Sequence, residues 1–119
     1  MPSKEQHLAQ GEHNTNFYLT IDRSAYSDWA ATVLFYVALQ YIDAFLATKE
    51  VHPSSHDRRD NYVNTVSELR AIAFDYFRLK TASRNARYYP QTNFTTTYLD
   101  ELDQVHLTKI RSHLLPILS

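Results

Sequence analysis

The sequence predicts an all-α fold, an up-and-down bundle of four to five helices, and three observations carry that prediction. First, the 119 residues include one Gly and four Pro, so the glycine-dependent hairpins and bulges of a strand-rich domain are missing. Second, residues 28–49 are apolar nearly all round, the pattern of a helix buried on most sides. Third, Ser54, Thr65 and Thr97 each stand three positions ahead of an acidic residue, the spacing of an N-terminal capping box. At this length a single domain over residues 1–119 is expected, able to bury a core without staples.

The elements follow in order. A first helix is expected from Ser3 toward Thr20, with Gly11 either inside it or ending it early. A turn follows at 22–24. The second helix begins with Ser27 or Asp28 as N-cap and runs to about Lys49. Trp29, Val33, Val37 and Ala44 share one of its faces, and Leu34, Ala38, Ile42 and Phe45 the next. Pro53 breaks the chain, and the Ser54–Asp57 spacing places a short third helix near Ser55. The Thr65–Glu68 spacing opens a fourth, whose Leu69, Ile72, Ala73, Tyr76 and Leu79 repeat at helical intervals toward Arg87. Tyr88-Tyr89-Pro90 ends it, and residues 90–96 form a polar loop. The Thr97–Asp100 spacing starts the last helix, with Leu99, Leu102, His106, Ile110 and Leu114 on one face and Pro116 stopping or kinking its final turn.

Composition excludes several classes of protein. There is no cysteine, so neither a disulfide framework nor a thiolate metal site is available. With one glycine, Walker and Rossmann phosphate loops are excluded, and no cofactor is expected. The first residues are polar, so no signal peptide is expected. Tyr36, Gln40, Tyr41 and Asp43 interrupt the longest apolar run and argue against a membrane span. A soluble, cytoplasmic protein is the expectation.

The net charge of −1 hides an uneven distribution. Residues 1–57 hold three Lys/Arg against seven Asp/Glu, residues 58–87 seven against three, and residues 88–119 two against three. A basic middle third reads either as an anion-binding face or as a solvated helix surface.

Two clusters of residues stand out. His52 and His56 lie four apart, but Pro53 between them breaks the helix that would present both to one ion, so no metal site is expected. His56 falls in the first turn of a helix, where it is either a surface or capping residue or a general base. Arg58 and Arg59 are adjacent and point about 100° apart on a helix, so one can pair with Asp43 or Asp28 while the other meets solvent or an anion. Arg84 and Arg87 share a helix face beside Tyr88 and Tyr89, a combination that can grip phosphate and base. The same arginines also suit the C-terminal end of a helix dipole. No Ser-His-Asp set and no HExxH sequence is present.

AQGEHN at 9–14, DWAATVLFYVALQYIDAFLA at 28–47, HPSSHDRR at 52–59 and SRNARYY at 83–89 occur in that order. In this the chain resembles the HEPN superfamily, and more narrowly its small, stand-alone bacterial members. The resemblance implies a four- to five-helix bundle that forms homodimers, often with the functional cleft at the dimer interface. Many members are metal-independent ribonucleases; others bind nucleotides or pair with a nucleotidyltransferase partner in toxin–antitoxin modules. The family's ribonuclease motif is Arg, four to six residues, then His. No Arg of this chain has a His at that spacing, Arg111 and His113 being too close. The expectation is therefore an RNA- or nucleotide-binding module with an anion cleft lined by His56, Arg58, Arg59, Arg84, Arg87 and Tyr88. The alternatives are a non-catalytic interaction protein and a divergent ribonuclease using His56.

Overall fold

A computed structural model describes residues 1–89 and 92–119, which form helices joined by short loops with no strand among them. The expected all-α bundle is what the chain forms.

Helix α1 spans Lys4–Thr20. Its start is a complete capping box, with Ser3 Oγ accepting from the Gln6 amide at 3.2 Å and Gln6 Oε1 accepting from the Ser3 amide at 2.8 Å. Gly11 lies inside the helix and leaves it unbroken. The Asp22 carboxylate then accepts from the hydroxyl and amide of Ser24 and the amide of Ala25, which fixes the turn and lowers the Asp22 pKa. Helix α2 spans Ser27–Thr48, α3 His56–Thr65, α4 Ser67–Arg70 and α5 Ala73–Tyr88. Helix α6 (Thr96–Glu101), one π-helical turn (Leu102–Leu107) and α7 (Thr108–Leu118) form a continuous rod.

Four long rods alternate in direction. Helix α1 runs antiparallel to α2, with His7 bonded to Gln40 and Gly11 set against Val37 and Gln40. Helix α5 runs antiparallel to α2 on another side, pairing Tyr36 with Arg87. The α6–α7 rod closes the bundle, with His106 on Asp75 of α5, Arg111 on Tyr41 of α2 and Lys4 on the Leu118 carbonyl. The short α3 and α4 make the elbow between α2 and α5. Helix α2 is the central rod: its 22 residues rise about 33 Å along a molecule 39 × 24 × 24 Å. By length and composition α2 would suffice to cross a membrane, contrary to the reading of its polar residues; 83% of that stretch is buried by the rest of the bundle.

The starts of several helices differ from expectation. Neither Ser27 nor Asp28 caps α2. Tyr26 holds that position without a side-chain bond, while the Ser27 hydroxyl donates to Asn93 and accepts from the Phe94 amide. Ser55, not Ser54, caps α3, accepting from the Arg58 amide at 3.2 Å. Thr65 caps nothing: its hydroxyl donates to the Asn61 carbonyl, and the expected fourth helix is split into α4 and α5. Thr95, not Thr97, caps α6. Pro116 sits inside the last turn of α7 without ending it. The stop expected at Pro90 lies outside the described residues. Of the face assigned to the core of α2, Val33, Val37 and Ala44 are buried, but Trp29 is 58% exposed.

Candidate anion-binding seam

Three helical stripes meet along one side of the bundle. Tyr36 and Asp43, seven apart on α2, lie two turns along the same face. His56, Arg59 and Asp60 share the inward face of α3, and Tyr76, Lys80, Ser83 and Arg87 a face of α5. Where the stripes converge, nearly every polar group finds a partner.

Arg59 and Asp43 form the deepest pair of this seam, both more than nine-tenths buried. Arg59 Nε donates to Asp43 Oδ1 at 2.7 Å and Nη2 to Oδ2 at 3.1 Å, a bidentate clasp that satisfies both carboxylate oxygens. Burial opposes the Arg59 charge, but the Asp43 carboxylate outweighs it and the arginine pKa is raised. Asp60 accepts from the Tyr76 hydroxyl at 2.9 Å and is paired with Lys80. Burial first, then the Asp60 charge, pushes the Tyr76 phenol well above its ordinary range, so it is neutral and a fixed donor.

His56 sits over the Phe35 ring, centroids 6.0 Å apart, with Nδ1 3.1 Å from Arg59 Nη1. A guanidinium has only N–H groups to offer, so Nδ1 accepts and the neutral ring carries its proton at Nε2. Burial first, then repulsion from Arg59, Lys80 and Arg87, lowers the His56 pKa. The ring is therefore a neutral N–H donor in this arrangement, not a free base.

Arg87 is placed differently. Its Nη1 donates to the Tyr36 hydroxyl at 2.9 Å and its Nε to the Ser83 carbonyl at 3.3 Å. Its guanidinium lies 5.7 Å from the Tyr36 ring centroid and 5.5 Å from that of Tyr88. Among the described residues no carboxylate pairs with it. Arg59 and Lys80 are neutralised by Asp43 and Asp60, which leaves Arg87 as the seam cation able to take an anion.

Of the six residues singled out in the sequence, the structure brings His56, Arg59, Arg87 and Tyr88 to this seam. Arg59 does not line an anion cleft: it is buried, held by Asp43, and acts on the site by orienting His56. Arg58 and Arg84 are exposed. Sequence reasoning missed Lys80 and Asp60 as members, although Lys80 stands seven before Arg87 on the same face of α5. No group of three or more His, Asp or Glu side chains among the described residues is disposed to hold a metal ion.

A second buried polar pair lies across the bundle. His106 Nδ1 is 2.9 Å from Asp75 Oδ1, both residues over nine-tenths buried, with Lys109 3.6 Å from the other Asp75 oxygen. His106 belongs to the π-helical turn, and its Nε2 has no hydrogen-bond partner, the nearest charged group being Glu101 at 3.8 Å.

Compared with protein-family models, curated proteins and solved structures, the chain finds no match. The fold and the seam define its class: an all-α bundle with an aromatic-flanked arginine at the surface between α2 and α5.

Proposed function

We propose that this chain is a HEPN-like, homodimeric helical protein, with no recognisable catalytic motif, that binds RNA or a nucleotide through phosphate contacts at the seam. Arg87 supplies the first contact, the exposed Arg84 and Arg58 add positive charge to the surface, and the His56 Nε2–H donates to a ligand oxygen. The observation that carries the reading is Arg87: it is oriented by Tyr36 and Ser83, flanked by two rings, and has no carboxylate partner among the described residues. The basic balance of residues 58–87 supports it.

Binding of a labelled RNA, followed against salt, tests the proposal. Affinity falls steeply as salt rises, because phosphate contacts release counterions, and an Arg84→Ala/Arg87→Ala protein loses it. Binding indifferent to salt and to both substitutions ends the reading. Sedimentation equilibrium tests the dimer.

A second reading, an interaction protein acting with a partner such as a nucleotidyltransferase, draws on the commitment of Arg59 and Lys80 to internal ion pairs. Arg87 weighs against it, since holding helices together does not need an unmatched arginine between aromatic rings. For a divergent metal-independent ribonuclease, His56 is the base to test; the Arg59 bond at Nδ1 favours a donor instead. RNA cleavage in EDTA by the wild-type protein, lost in His56→Ala, would reinstate it.

A further inference from the structure

Beside Arg87 the surface opens into a groove of about 270 Å³ lined by Asp28, Trp29, Thr32, Ala86 and Arg87. Through Trp29 and Thr32 it continues toward Phe17 and Tyr36, and through Asp28 and Ala86 toward Tyr89 and Asn93. Within one short span it holds an indole, a guanidinium and a carboxylate. Trp29 is 58% exposed on a helix, α2, that is otherwise almost wholly buried, and Phe17 of α1 is 51% exposed. An aromatic face beside an unmatched arginine is the pairing that takes a nucleobase and its phosphate together.

We infer that this groove is a subsite for an unpaired nucleotide, with the base stacked on Trp29, the phosphate on Arg87 and a donor edge of the base facing Asp28. The inference rests on the proposed function and narrows it to single strands. A duplex keeps its base faces stacked inside, so it can use Arg87 but not Trp29. The Asp28 carboxylate only accepts hydrogen bonds, which favours guanine, with its adjacent N1–H and amino donors, over uracil. Asp28 also repels a second phosphate near the ring, so the subsite takes the base end of a nucleotide and Arg87 the charged end.

Trp29 is the chain's one tryptophan, so its fluorescence reports on the groove directly. Titration with a single-stranded octanucleotide of alternating G and A quenches it saturably. Anisotropy of the same labelled strand gives an affinity roughly tenfold or more above that of its duplex, and Trp29→Leu removes that advantage while Trp29→Phe keeps most of it. Asp28→Asn narrows the preference for the G/A strand over an all-uridine strand. Because Trp29 and Asp28 lie at the surface, a far-UV spectrum and melting curve matching wild type show each variant folded.

Equal affinity for strand and duplex, unchanged in Trp29→Leu yet abolished by Arg84→Ala/Arg87→Ala, overturns the subsite and leaves the proposed function standing. No binding of either form overturns both. Fluorescence that follows protein concentration rather than added strand shows a second copy covering the groove, and also overturns the subsite.

Discussion

Arg59 holds Asp43 with two parallel hydrogen bonds and turns its remaining nitrogen to His56. One guanidinium thus joins α2 to α3 and sets the tautomer of the histidine at the surface. The pair is buried, so its worth lies less in attraction than in the penalty for breaking it. Two desolvated charges roughly balance when matched, and either one alone is stranded.

Removing one partner is therefore expected to be severe. Arg59→Ala or Asp43→Ala should each cost about 3–5 kcal/mol in urea unfolding, whereas replacing both by apolar residues of similar volume should cost far less. Arg59→Lys should not rescue the single loss, because an ammonium cannot make the bidentate clasp. Equal stability of Arg59→Ala and wild type would show that the pair does not hold the elbow.

The Asp75–His106 pair should behave alike on the opposite side. Asp75 Oδ2 has no hydrogen-bond partner, and Lys109 stands 3.6 Å away with a largely exposed side chain. His106→Leu removes the hydrogen bond to Asp75 Oδ1, leaving only Lys109 beside the carboxylate among the described residues, and should cost about 1–3 kcal/mol. In a double-mutant cycle with Asp75→Leu, the two losses should be non-additive by roughly 0.5–3 kcal/mol. Additivity would mean that the two side chains are adjacent without interacting.

Much of the bundle is legible in the sequence because its signals are local. The girth of α2, the stripe on α5 and the stop at Pro53 each need only a few neighbouring residues. Helix starts are less legible where candidates adjoin: Ser54-Ser55 and Thr95-Thr96-Thr97 offer several hydroxyls, and the entry angle of the chain selects among them. The π-helical turn leaves a trace that is easily passed over. Leu102, His106, Ile110 and Leu114 advance by four each time, longer than the 3.6 period of an α-helix, and a π-turn absorbs the excess. At the site, the Arg59–Asp43 pairing is among those the sequence suggests. The Lys80–Asp60 pair is not, since twenty residues and the intervening α4 separate the partners and no short-range spacing encodes their meeting.

The charge state of His56 makes a pH prediction. Its folded pKa is lowered from 6.5 by burial and by the Arg59, Lys80 and Arg87 charges. Between that lowered value and 6.5 the unfolded chain binds more protons than the folded one. The contribution of neutral His56 to stability is thus complete above 6.5 and is lost as pH falls through the folded pKa. A bound phosphate reverses the local balance, because an anion beside the ring favours the imidazolium. Affinity for a short RNA should therefore rise as pH falls below 6.5, and His56→Gln should remove that rise. A pH-independent affinity in the wild-type protein would place His56 away from the bound phosphate.

Gly11 supplies a test of the α1–α2 packing that leaves every charge in place. It is buried in mid-helix with ordinary helical backbone, so it gains nothing there from the freedom of glycine and retains its entropic disadvantage. A methyl group at this position would lie 3.4 Å from Gln40 Cβ, and 4.0 Å from both Tyr41 Cε2 and the Val37 carbonyl oxygen, all within van der Waals contact. Gly11→Ala should therefore stabilise the fold by about 0.5–1 kcal/mol, which for a domain near this size raises the melting temperature by a few degrees. The close approach of the helices limits the gain to one carbon. In Gly11→Val the added γ-carbons reach toward Gln40 and Val37, where overpacking typically costs about 1–3 kcal/mol. A melting series over Gly, Ala and Val that rises and then falls fixes the gap between α1 and α2 at one methyl group. A series that falls at Ala shows the two helices packed more closely than that.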